Sequence, residues 1–243
     1  MFPFLKKVRE IHRPYCTALV AAAGSSSRMG GQDKLMEPLD GIPVLARTLM
    51  ALQAAETVDE IIIATREEAL MPISDLCHRY GITKCTKVVR GGQSRVHSVY
   101  LAALEASPET QLLAVQDGAR PLVSPELIGR VVHAASRCGA AAPAIAVKDT
   151  IKAVREDGAV SHTPDRSTLR AVQTPQVFEA SLLKAALQSA LDDNAAITDD
   201  CSAVERLGKV VFLVEGEEEN LKITTPIDLL LAEAILESKE NKA

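Results

Sequence analysis

The chain has 243 residues, 47% of them apolar and 24% charged, and a formal net charge of −5. A chain of this length buries about seven tenths of its unfolded surface, and a disordered chain would carry fewer aliphatic residues and more net charge. The acidic balance and an aromatic content of 3% argue against a nucleic-acid partner, whose backbone needs a positive track and whose bases need stacking rings.

Short apolar runs alternate with longer amphipathic stretches, which predicts an α/β fold with a mostly parallel sheet flanked by crossover helices. The opening "MFPFLKKVREIHRPY" reads as an N-terminal extension over 1–16, ahead of a single domain over 17–243. Its apolar patch is too short for a signal peptide, and no stretch nears the ~20 apolar residues of a membrane span, so no membrane partner is expected. The first strand, "TALVAAA", runs into a small-residue loop from Gly24 to Gly31 that contains Arg28 and is followed by Lys34. Backbone N–H groups in such a loop can approach a phosphate closely. The loop satisfies neither G-x-x-x-x-G-K-[ST] nor G-x-G-x-x-G. Two cations beside it would balance the excess charge of a magnesium-bound nucleoside triphosphate. Taken alone, the segment reads equally well as a surface loop with solvated cations.

Strands are next expected at "EIIIAT" and "TKVVRGG". The second enters "RGGQSRVHS", where Ser94 is a natural helix cap, and "SRVHSVYLAALEAS" puts Val96, Val99, Tyr100, Ala103 and Leu104 on one helical face toward the sheet. The strand "LLAVQD" leads into "QDGARP", which offers Asp117 and Arg120 either as a turn ion pair or as a third polar cluster at the same sheet edge. Ligands of open parallel sheets bind at that edge, outside the carboxyl ends of the strands. Helices "PELIGRVVHAASRCG" and "EASLLKAALQSALDD" and strands "AAAPAIAV" and "KVVFLVEG" complete the pattern.

From Lys148 to Leu169 the rhythm changes to two β-like pieces around "EDG", a hairpin arm with little core of its own, predicted to pack on a second copy of the chain. In "ITDD", Thr198 reads as a helix cap with Asp199 and Asp200 in the first turn, or as a substrate contact. In "TTPID", Thr225 reads as a cap, Pro226 as the first helical residue and Asp228 as the closing member of a capping box. "EGEEEN" reads as a solvated turn whose acids are available to a metal. Five cysteines without a C-x-x-C pair fit neither a zinc site nor a secreted disulfide framework, and predict a reducing cytoplasmic setting. His97 and His133 fit helix surfaces and His162 the arm, so no side-chain metal ligand is expected.

The ordered segments "AAAGSSSRMG", "DK", "GGQSRVHSV", "DGARP", "KDT", "PDR", "QTPQ", "ITDD" and "NLKITTPIDL" resemble the 2-C-methyl-D-erythritol 4-phosphate cytidylyltransferases over nearly the whole chain. The resemblance implies a Rossmann-like domain that binds CTP beside a polyol phosphate, whose phosphate attacks the α-phosphorus while pyrophosphate leaves. Mg2+ would be held mainly through the CTP phosphates. Carried over by motif, Arg28 and Lys34 would stabilise the pentavalent transition state, and Arg166 and Lys222 would hold the substrate phosphate in line. Ala22, Ala23, Gly24, Gly92, Gln93 and Ser98 would cradle cytidine; Asp117, Arg120, Thr150, Thr174 and Thr198 would lie on the polyol side. The arm at about 148–169 would reach a neighbouring subunit's site in a homodimer. Gln116 stands where the family usually has His, and Asp33 where Pro is common, so "RMGGQDK" is also similar to the molybdenum-cofactor guanylyltransferases. A ribitol 5-phosphate cytidylyltransferase and a non-catalytic nucleotide-binding module are the alternatives.

Overall fold

The computed structural model describes residues 13–24 and 33–240. The strands in chain order are β1 (Cys16–Ala22), β2 (Pro38–Leu39), β3 (Ile42–Pro43), β4 (Glu60–Thr65), β5 (Cys85–Arg90), β6 (Leu112–Asp117), β7 (Ala140–Ala146), β8 (Ala153–Val154), β9 (Val160–His162), β10 (Arg170–Val172), β11 (Gln176–Glu179) and β12 (Phe212–Glu215). The helices are α1 (Val44–Ala54), α2 (Leu70–Arg79), α3 (Arg95–Leu104), α4 (Pro125–Cys138), α5 (Ala180–Asp192), α6 (Asp200–Arg206) and α7 (Pro226–Glu240). Of the extension expected over 1–16, residues 1–12 lie outside the described residues; Arg13 pairs with Asp59 at 2.7 Å, and Cys16 already belongs to β1.

The architecture is a Rossmann-like α/β sandwich. Strands β5, β4, β1 and β6 run parallel, in that spatial order. Strand β11 is antiparallel between β6 and β7, β10 pairs antiparallel with the far end of β7, and β12 pairs parallel with β7. Central strands of such a sheet are covered on both faces and so lose the alternation of a half-buried strand. All six residues of β4 and of β6 are buried. Successive side chains still point to opposite faces. Ala18 and Val20 pack with α1, α4 and α7, while Leu19, Ile62 and Val115 pack with α3, α5 and α6.

Helix α3 departs from the expected face. Its buried stripe is Ser98, Val99, Ala102 and Ala103, and Leu104 is 53% exposed. The stripe is rotated so that small side chains meet the sheet, which brings the helix close and leaves Leu104 on the rim. Ser94 caps it as expected, accepting the His97 N–H at 3.1 Å. The predicted arm forms a two-stranded sheet of its own, β8 against β9, with a positive φ of 82° at Gly158 in the turn and exposed Val154 and Val160. At "TTPID" Pro226 opens α7, and Asp228 accepts the Thr224 and Thr225 N–H groups at 2.8 and 2.7 Å.

Candidate active-site cleft

The carboxyl ends of β1 and β6 and the turn after β5 open into one cleft of about 400 Å³. It gathers Ala23, Gly24, Lys34, Gly92, Gln93, Ser98, Asp117 and Lys222, all expected at the site. Local rules explain how each element delivers its part. The β5–α3 turn is tied down by Gly91 N–H donating to Thr65 O at 2.7 Å and Gly92 N–H donating to Ser98 Oγ at 3.0 Å. Gly92 also lies directly beneath the His97 ring, and a Cβ there would sit 2.3 Å from His97 Cγ. No other residue fits without displacing that ring. At the end of β6, Gly118 N–H donates to Ala21 O at 3.1 Å, which fixes Asp117 beside the end of β1.

Asp117 is the hub. Its carboxylate meets Lys222 Nζ at 2.8 Å and both Arg95 Nη2 and Arg120 Nε at 3.6 Å. Burial by itself would push this acid up, but Lys222 first, then Arg95 and Arg120, outweigh it and hold it below the ordinary carboxylate range. Behind it, Arg120 is 8% exposed and donates through Nη1 to Asn220 O at 2.5 Å. Burial lowers the Arg120 pKa, and Asp117 opposes that only in part. The cleft region brings three cations, Arg95, Arg120 and Lys222, to two carboxylates, Asp117 and the Asp200 behind Arg95, and so favours anionic ligands.

Of the remaining expected residues, the described ones do not line the cleft. Arg28 lies outside the described residues. Ala22 is buried at the end of β1 and does not line the cleft, though its carbonyl accepts from Thr65 Oγ1 at 3.2 Å. Thr174 is buried, and its hydroxyl accepts the Asp117 N–H at 3.1 Å, so it touches the hub and not the cavity. Thr150 and Arg166 are exposed on the arm, where Arg166 donates to Lys148 O at 2.8 Å, and neither lines this chain's cleft.

Two expectations are corrected. Thr198 is exposed and does not cap α6; Asp199 does, accepting the Ser202 N–H at 2.9 Å within a capping box. Both residue types cap well, and the box requires Ser202 three residues on, which selects Asp199. "EGEEEN" is a solvated turn only in part: Glu218 and Glu219 form an exposed turn, but the segment is anchored on either side of it. Asn220 is fully buried, and Glu217 accepts from Ser124 Oγ at 2.8 Å and Arg130 Nη2 at 2.9 Å.

Arg95 and Asp200 were not expected at the site. Arg95 lines the cleft and pairs with Asp200 at 2.7 Å, and Asp200 is 0% exposed. Burial opposes the Arg95 charge, but Asp200 and Asp117 overcome it and raise its pKa. Burial drives Asp200 upward despite its partner. A signal was present: a cation in the first turn of a helix is disfavoured by the helix dipole and calls for a reason.

Comparison with known proteins gives a consistent picture. The family model described as 2-C-methyl-D-erythritol 4-phosphate cytidylyltransferase matches residues 16–238. A curated protein of that name from Bacillus cytotoxicus is 45% identical over 221 residues, 90% of this chain and 97% of its own. One from Pelotomaculum thermopropionicum is 42% identical over 228 residues, 93% of this chain and 95% of its own. Among solved structures, a 4-diphosphocytidyl-2C-methyl-D-erythritol synthase from Anaerococcus prevotii superposes with a TM-score of 0.83 at 30% identity, covering 92% of this chain and 96% of that one. The cytidylyltransferase from Thermus thermophilus superposes at 0.76 with 35% identity, covering 91% and 98%.

Proposed function

The chain belongs to the 2-C-methyl-D-erythritol 4-phosphate cytidylyltransferase family and transfers the cytidylyl group of CTP to 2-C-methyl-D-erythritol 4-phosphate in isoprenoid synthesis, and on that premise we propose how its cleft divides the work. The β5–α3 turn and the end of β1 take the nucleotide, with Gly92, Gln93, Ser98, Ala23 and Gly24 around cytidine and Ala22 buried behind them. Asp117 and Lys222 face the polyol phosphate. A substrate phosphate oxygen attacks the α-phosphorus and pyrophosphate leaves in line, with no covalent enzyme intermediate. Lys34 and Arg28 meet the charge that gathers on the five-coordinate phosphorus. Catalysis is then positioning plus preorganised positive charge.

The pairing of Lys222 with Asp117 at 2.8 Å gives this reading a specific order of events. An incoming phosphate competes with Asp117 for the ammonium, and the released carboxylate is free to accept a polyol hydroxyl. Thr174 and Arg120 act on the polyol through Asp117, which both of them touch. Thr150, Thr198 and Arg166 complete the polyol side. Arg166 and Thr150 are proposed to serve the cleft of a second copy in a homodimer, a role supported by their place on an arm whose Val154 and Val160 are exposed.

Mg2+ is proposed to enter with CTP, held by the phosphate oxygens. The carboxylates fit poorly as direct ligands, because Asp117 and Asp200 are taken up by Lys222, Arg95 and Arg120. Among the described residues no three His, Cys, Asp or Glu side chains cluster at metal-binding spacing. When bound, the ion neutralises charge on the leaving pyrophosphate. A reducing cytoplasmic setting is proposed from five cysteines that are all free thiols. Among the described residues no helix is long and apolar enough to cross a membrane.

The observation that carries the site reading is the convergence of Lys34, Arg95 and Lys222 on one cleft around Asp117. Pyrophosphate release, scanned over the four nucleoside triphosphates with the erythritol phosphate, should be fastest with CTP. Lys34→Ala should lower turnover by at least ~100-fold. Near-normal turnover in that variant would remove Lys34 from the mechanism.

A further inference from the structure

The motifs "QTPQ" and "ITDD" meet behind the cleft, in a contact that the division of the site just described does not use. Gln176, 2% exposed, accepts the N–H groups of Asp200 and Cys201 through its amide oxygen, each at 3.0 Å, and donates to Asp199 Oδ2 at 2.8 Å. One side chain therefore clamps the start of α6. The clamp fixes Asp200, whose carboxylate is 0% exposed and meets Arg95 Nη2 with Oδ2 at 2.7 Å. Arg95 lines the cleft and Asp200 does not, so the carboxylate stands behind the guanidinium. Arg95 Nη2 also lies 3.6 Å from Asp117 Oδ1, which makes the guanidinium shared between two acids and drawn toward Asp200. Its Nη1 is buried without a hydrogen-bond partner, as are both oxygens of Asp200, so the contact between the two side chains is an ion pair without hydrogen-bond geometry, while Arg95 itself lines the cleft together with Gln93 and Ser94.

A fully buried carboxylate is costly, and its retention needs a reason. Without its charge, Arg95 would close on Asp117, compete with Lys222 there and withdraw from the turn that carries Gln93. We infer that Asp200, anchored by Gln176, is a positioning residue that holds Arg95 off Asp117 and against the nucleotide half of the cleft. The inference rests on the reading that the β5–α3 side takes CTP.

The test is steady-state kinetics with both substrates varied, on wild type, Asp200→Asn, Arg95→Met, the double variant, Gln176→Met and Ser98→Ala. Asp200→Asn should raise the KM for CTP at least tenfold and the KM for the erythritol phosphate, which Arg95 reaches only through Asp117, by less, with kcat changed less than threefold. Gln176→Met, which removes the anchor and keeps the buried charge, should raise the CTP KM about threefold and covers the case in which Asp200→Asn does not fold. The double variant should match Arg95→Met alone, because Asp200 acts only through that side chain. Multiplying effects, or a fall in kcat with both KM values unchanged, would overturn the inference, the latter pattern being that of a smaller folded fraction. If Ser98→Ala raises the CTP KM while Asp200→Asn and Gln176→Met do not, the positioning role fails and the nucleotide reading stands. If none of the variants, Ser98→Ala included, moves the CTP KM, the nucleotide reading itself fails.

Discussion

Replacing Asp117 by Asn removes one negative charge from the centre of three cations and leaves the shape nearly unchanged. Asp117 is 7% exposed, and Arg120, 8% exposed, has no hydrogen-bond partner at Nε besides its 3.6 Å approach to this carboxylate. Breaking a buried pair from one side costs about 3 kcal/mol, because the surviving charge is left in a dry environment. Lys222 has a side chain 40% exposed, so water takes over most of its loss and it adds no more than ~1 kcal/mol. For a chain of this size, each kcal/mol moves Tm by about 2–4 °C, so the variant should melt roughly 6–16 °C lower at pH 7. The same substitution leaves the cleft more positive. Pyrophosphate should bind about tenfold more tightly than to wild type, an extra ~1.4 kcal/mol at saturating concentrations. Thermal melts with and without pyrophosphate read both effects at once. The difference in stability should also fade in acid: the folded pKa lies below the ordinary 3.8, so the stabilisation is complete above that value and is lost as pH falls through the folded one. A Tm within 2 °C of wild type, or weaker protection by pyrophosphate in the variant, would refute the account of Asp117 as a counter-charge for the phosphate-binding cations.

Gly92→Ala should raise the CTP KM by about 5- to 150-fold, the equivalent of ~1–3 kcal/mol of overpacking, because the new Cβ would lie 2.3 Å from His97 Cγ. Adding His97→Ala should restore most of the loss, and steady-state kinetics on the pair would show it. Arg166→Ala should impair use of the polyol phosphate while calorimetry finds CTP affinity largely intact. Verified mixed dimers of the Lys34 and Arg166 variants should regain activity if the arm serves its neighbour, and inactive heterodimers would argue against sharing. Asp228→Ala removes the acceptor for the Thr224 and Thr225 N–H groups and should lower stability by about 1–2 kcal/mol at pH 7, read by chemical denaturation. Those hydrogen bonds outweigh burial and hold the Asp228 pKa below 3.8, so the difference from wild type should shrink as pH falls through the folded value.

The parallel half of the sheet was legible because β1, β4 and β6 are apolar runs that stop at polar turns. "EIIIAT" and "LLAVQD" coincide with β4 and β6 residue for residue. The antiparallel part was not. "RAVQTPQVFE" contains β10 and β11, yet three buried polar residues, Gln173, Thr174 and Gln176, break its apolar run and disguise it as a loop. The β2–β3 hairpin was overlooked although it carries a strong local signal: Asp40 and Gly41 both have positive φ, 49° and 72°, the geometry for which Asp-Gly is favoured. Strand β12 is shorter than "KVVFLVEG" suggests, and its Phe212 and Leu213 are 53% and 48% exposed.

At the site, the sequence revealed what touches the cleft through local chemistry, the glycines, the cap at Ser94 and the motif lysines at 34 and 222. It hid what holds those groups in place. Gln173 clamps 216–220 much as Gln176 clamps α6: its amide donates to Glu217 O at 2.8 Å, and its carbonyl accepts the Glu217 N–H at 3.2 Å. That clamp seats Asn220, whose carbonyl takes Arg120 and whose side chain donates to Thr174 O at 3.0 Å. One four-residue segment thus steadies Asp117 through Thr174, Arg120 and Lys222 through the following loop, and Arg95 through Asp200. These bonds join positions 23 to 100 residues apart, a range at which no periodicity or local propensity operates. Their trace in the sequence is a polar residue placed where a strand expects an aliphatic one. An amide buried in a strand costs stability unless all its groups are bonded, so a run such as "QTPQ" beside apolar strands is itself evidence for a supporting shell around a charged site.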